Sequence, residues 1–131
     1  MSKALALSIV AVGAVGVLAG CGSQGVQVAQ DDPLHRGAVL FSERCSGCHT
    51  LDAAGSEGTA NRSQRAQGPN LNQRKETYFA TIYAIRNGGF SGAIMPQNIV
   101  VGRDAEDVAR FVAKYSGREA QGSSSMGDGG K

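Results

Sequence analysis

The chain has 131 residues, room for one domain, with a formal net charge of +2 and no tryptophan. Its three cysteines are an odd number, which excludes a closed disulfide framework. The 13 basic residues are scattered and only 5% of the chain is aromatic, so no nucleic acid is expected as a partner.

Met1 to Cys21 is apolar after the single charge of Lys3, and the run Ala4 to Ala19 ends in small residues. That is the layout of a secretory signal peptide. The run falls short of the roughly 20 apolar residues that span a bilayer. It also carries Gly13 and Gly16, and no basic stop follows it. Leu18-Ala19-Gly20-Cys21 resembles the bacterial lipobox, in which cleavage falls before the cysteine and lipid is attached to it. Residues 1–20 are thus expected to leave, and Cys21 to become the lipidated start of the mature chain; the plainer alternative is an uncleaved apolar helix with a cysteine near its end. Lipidation accounts for the odd cysteine, and two or more acyl chains on one residue anchor stably. The reading places the domain in the bacterial cell envelope, tied to a membrane on its extracytoplasmic side. Residues 21–32 read as a tether, and Gly22 to Asp32 as coil would reach about 17–20 Å.

Residues 33–118 read as the folded domain. Asp32-Pro33 signals a helix start, since aspartate caps free amides and proline suits the first helical position. Leu34, Ala38 and Phe41 follow at helical spacing, and the helix is expected to end near Arg44. Thr50 to Gln67, rich in Gly, Ser, Ala, Asn and Gln, reads as a long surface loop. Glu76 to Asn87 reads as a second helix with Phe79, Ile82, Tyr83 and Ile85 on its apolar faces and Gly88-Gly89 as its stop. Phe90 to Gly102 is irregular. Asp104 to Ser116 is the clearest helix, with Val108, Phe111, Val112 and Tyr115 at i, i+3, i+4 and i+7. No alternating strand is evident, so the fold class is all-α. Residues 119–131 are Gly/Ser-rich and read as a disordered tail. With four Phe, three Tyr and 19 Gly the core is poor, and domains this small often depend on a staple, a metal or a large cofactor.

Cys45-Ser46-Gly47-Cys48-His49 is a C-x-x-C-H motif, the attachment signature of haem c. Two thiols at this spacing reach two vinyl groups along one side of a haem, and the next residue brings its imidazole under the iron. Half a zinc site is a competing reading, but no second cysteine pair exists and His35 is the only other histidine. A thioredoxin-like pair belongs in a βαβ context, and a simple disulfide is the third alternative. For the sixth iron ligand Met95 is the best placed: Met1 leaves with the signal, and Met126 lies in the tail. A thioether suits haem iron, and His/Met ligation raises the reduction potential. The alternative is a methionine that fills a gap in the core.

Gly37-x-x-x-Phe41, Cys45-x-x-Cys48-His49, Gly68-Pro69-Asn70-Leu71 and Met95-Pro96 before a final amphipathic helix together resemble a class I cytochrome c. The resemblance covers Pro33 to Gly117 and implies one covalent haem c with its iron, enclosed by crossing N- and C-terminal helices. It implies that Gly37 permits the last helix to cross near Phe111 or Tyr115. It also implies that the Pro69 carbonyl accepts a hydrogen bond from His49 and so fixes its tautomer. The stretch from Ser56 to Gln67 reads as an insertion. Its Arg62 and Arg65, with Arg74 and Lys75, offer either a basic docking surface or scattered solvating charge.

An iron with both axial positions filled by protein implies outer-sphere electron transfer and no enzyme activity. The expected role is a monomeric, membrane-anchored carrier working with membrane-bound redox proteins: a quinol-oxidising complex, a terminal oxidase or a dehydrogenase. A haem-based gas sensor or weak peroxidase is the alternative if Met95 is not a firm ligand. A haem subunit of a larger dehydrogenase is the third.

Overall fold

In the computed structural model the described residues are 25–58, 68–90 and 94–118. The signal segment, Cys21, Arg62, Arg65 and the tail from 119 lie outside them. Three helices carry the fold: α1 (His35–Arg44), α2 (Tyr78–Asn87) and α3 (Gly102–Tyr115). Between α1 and α2 run β1 (Thr50–Leu51), a 3-10 turn (Asp52–Ala54) and β2 (Ser56–Glu57).

The periodic pattern of α3 buries Val108, Phe111 and Val112 and leaves Tyr115 half-buried. This face meets α1, where Ala38 and Phe41 are buried in turn. The helices cross at Gly37. A Cβ there would overlap the Asp107 carbonyl and stand 2.8 Å from the Phe111 Cβ, so only glycine admits this approach. The rings of Phe41 and Phe111 then meet edge to face at 5.8 Å. Outside the contact, Arg36 spans both Asp104 and Asp107 at 2.5 Å.

Each helix begins later or earlier than its sequence signal. α1 starts at His35, because Asp32 caps a preceding turn: its carboxylate accepts the Leu34 N–H at 2.7 Å and its carbonyl the His35 N–H at 2.9 Å. α2 starts at Tyr78, where the Thr77 hydroxyl accepts the Ala80 N–H at 3.1 Å, while Glu76 is taken by Arg74 at 2.5 Å. α3 starts at Gly102; Asp104 lies inside its first turn, near the free amides that its charge favours. Gly88, with φ of 74°, closes α2 in the left-handed conformation.

Two expectations are corrected. Thr50 to Glu57 is not a surface loop. It is an antiparallel ladder pairing Thr50 with Glu57 and Leu51 with Ser56, with Leu51, Ala54 and Ser56 buried. Nor are residues 25–32 free tether. Val28 is 5% exposed and belongs to the core, and the Gln27 N–H donates to the Ala53 carbonyl at 3.0 Å. A single buried valine and a few backbone bonds are enough to hold this strand of chain on the domain.

Candidate cofactor site

Phe41 at the end of α1 starts the winding that builds the site. Its carbonyl accepts the N–H groups of Cys45 and Ser46, at 2.8 and 3.1 Å, and the Cys45 carbonyl then accepts those of Cys48 and His49, at 3.1 and 3.0 Å. The motif is thus a continuous turn off the helix. It brings Cys45, Cys48 and His49 onto the wall of one cavity of about 540 Å³. The deep wall is apolar, with Phe41, Ile85, Val108 and Val112 from all three helices. Met95 also lines the cavity, half-buried and packed against the core.

Two glycines and a serine that read as ordinary loop residues hold His49. Gly58 crosses the backs of Ser46, Cys48 and His49, and its N–H donates to the His49 carbonyl at 3.2 Å. The buried Ser56 hydroxyl donates to the same carbonyl. Gly68 passes flat against the imidazole: a Cβ there would stand 2.5 Å from Nδ1 and 2.7 Å from Nε2. That passage sets the Pro69 carbonyl 3.1 Å from His49 Nδ1. A carbonyl can only accept, so Nδ1 carries the proton and Nε2 keeps its lone pair. Burial lowers the His49 pKa, against the opposing pull of Pro69 and of Glu76, so the ring stays neutral.

No disulfide joins Cys45 and Cys48. Burial, with Cys48 adding to it, pushes the Cys45 thiol up to about 12. Redox-active C-x-x-C thiols have lowered pKa values, so the thioredoxin-like reading has no electrostatic support. Arg74 pairs with Glu76, and the Lys75 ammonium donates to the Ala113 carbonyl. Both side chains remain exposed.

The sequence matches the profile described as cytochrome c over residues 34–116, from the turn before α1 to the last turn of α3. The chain belongs to the cytochrome c family. A solved structure, the c-type cytochrome SorU from Sinorhizobium meliloti, is 32% identical with a TM-score of 0.53. The match covers 68% of this chain and 97% of SorU. Among curated protein sequences none is similar enough to register as a relative. This cytochrome c has the family's all-α fold, and the family implies a covalently bound haem c with iron. The residues present fit that group: two thiols at C-x-x-C spacing, a neutral imidazole with a free Nε2 and a thioether share one apolar-walled cavity.

Gly68→Ala is expected to push the His49 ring off its seat and break the bond to Pro69. Less haem-bearing protein should mature, and what does mature should show a shifted reduction potential. Wild-type yield and potential would show that the ring has room to move.

Proposed function

We propose that this cytochrome c is a membrane-anchored one-electron carrier. Cys45 and Cys48 would form the thioethers, His49 Nε2 and Met95 Sδ would hold the iron, and Pro69 orients His49. The observation that carries the reading is that Met95 and His49, whose Nδ1 is held by the Pro69 carbonyl, line the same cavity; with both on the iron, a substrate would find no open coordination position. When bound, the haem supplies an Fe(III)/Fe(II) couple. The chain's own residues do the rest: the thioethers fix the ring, Phe41, Ile85, Val108 and Val112 exclude water from it, and Met95 favours the reduced state.

The mouth of the cavity supports a carrier that docks on other proteins. Phe90 and Ile94 line the cavity and are 50% and 77% exposed, and Phe90 stacks on the exposed Tyr83 at 5.4 Å. An exposed apolar cluster beside a redox site suits brief contact with a partner. Lipid on Cys21 would confine the carrier to the membrane plane of the cell envelope. There a quinol-oxidising complex, a terminal oxidase or a dehydrogenase would be its natural partner in an electron transport chain.

Absorption spectra of the matured protein test this reading. Sharp low-spin bands on reduction, haem that resists acid-acetone extraction and no response to carbon monoxide are expected. A carbon monoxide shift would favour a gas sensor or weak peroxidase instead.

A further inference from the structure

We propose that residues 25–34 form a strap that holds the domain against the bilayer surface, with the corner built by the strap and the β1–β2 hairpin facing the lipid headgroups. The proposal rests on the reading of Cys21 as the lipidated residue.

The strap is tied down at several points along its length. At its start, Gly25 lies against Gly55, where a Cβ would overlap the Gly25 backbone. The Gln27 N–H donates to Ala53 and Val28 is buried in the core. His35 Nδ1–H donates to the Val28 carbonyl at 2.8 Å, and the Tyr115 hydroxyl reaches the Asp32 carboxylate at 3.4 Å. The folded body therefore includes residues 25–32 and does not begin at Pro33.

This changes the length of the leash. Four Cα-to-Cα steps separate Cys21 from Gly25, which fully extended span at most about 14 Å. A domain near 100 residues has a radius of gyration of about 13 Å. Even fully extended, the leash is shorter than the width of the body, which is at least twice that radius, about 26 Å, so the strap corner stays close to the membrane. No residue of 25–34 or 50–58 lines the cavity. The corner held at the lipid therefore leaves the cavity uncovered. Asp31, Asp52 and Glu57 are exposed on this corner. Acids there do not favour insertion, so the closeness is imposed by the leash and not by attraction to lipid.

Neutron reflectometry of the lipidated, haem-bearing full chain on a supported phosphatidylcholine bilayer tests this. The wild-type protein layer is expected to begin at the headgroups. Inserting twenty Gly/Ser residues between Ser23 and Gln24 should move its centre outward by roughly 10–20 Å. Val28→Asp, which frees the strap without lengthening the chain, should move it outward by about half as much. If the insertion variant and wild type sit at one height, the strap does not set the distance and the proposal fails. Cys21→Ser should wash off the bilayer. If the wild type washes off in the same way, the lipid anchor itself is wrong, and the strap proposal falls with it.

Discussion

Replacing Met95 with alanine is expected to lower the reduction potential and to open the iron to carbon monoxide. The loop that carries Met95 is held by more than the methionine side chain. After Pro96, the Asn98 N–H donates to the Ile85 carbonyl at 2.7 Å, and the Gln97 amide reaches the Asn87 carbonyl at 3.4 Å. Asn98 takes a φ of 53°, a left-handed turn that asparagine tolerates better than most residues. The segment is thus fastened to the end of α2 by its own backbone. Alanine removes the thioether and leaves the frame, so the change is in iron chemistry before it is in structure. Thioether ligation favours the reduced iron, and axial ligands set potentials over a range of about 0.8 V, so a fall on the order of a hundred millivolts is expected. Each 59 mV of that fall is a tenfold change in the redox equilibrium, about 1.4 kcal/mol. Redox titration and carbon monoxide difference spectra read both effects. An unchanged potential with no carbon monoxide band would remove Met95 from the iron.

The attachment motif was legible because its chemistry is local: five consecutive residues name the cofactor without any knowledge of the fold. The α1–α3 crossing was half legible. The apolar stripe of α3 is strongly periodic, but the role of Gly37 came only through resemblance to a family. The supports of His49 were half hidden. The bond from Pro69 came through the family resemblance, but Gly58 lies in a stretch where many glycines and serines look alike, and nothing local marks it as meeting the motif or Gly68 as packing on the ring. A ladder of two residues per strand is too short to show a period of two. The strap was missed because Val26 and Val28 stand alone among polar residues, and burial of one valine leaves no pattern. On α2 the apolar residues were found but not all were buried: Ile82 and Ile85 face the core, while Phe79 is 80% exposed. Composition reports hydrophobicity, and only the packing partner decides which face is used.

The approach of α1 to α3 makes a second strong prediction, because it sets two physical effects against each other at one atom. In an open helix, Gly37→Ala would stabilise by about 1 kcal/mol through helix propensity. Here the added methyl would meet the Asp107 carbonyl and the Phe111 Cβ, neither of which is a flexible side-chain end that could move aside. The helices must then separate, loosening the Phe41–Phe111 contact and the wall formed by Phe41, Val108 and Val112. Overpacking of this kind costs about 1–3 kcal/mol, towards the upper end where backbone must shift, so after the gain in propensity a net loss of roughly 1–2 kcal/mol is expected. For a domain of this size that is a fall in Tm of about 5–15 °C. Arg36→Ala is the control for the ion pairs to Asp104 and Asp107. These are solvent-exposed, and losing them should cost no more than about 1 kcal/mol. If denaturant unfolding places Gly37→Ala within about 0.5 kcal/mol of wild type, the crossing is not set by steric contact. If Arg36→Ala is the more damaging, charge rather than close approach holds the helices together. Gly37 lines no part of the cavity, yet by this argument it sets the spacing of two helices whose side chains do.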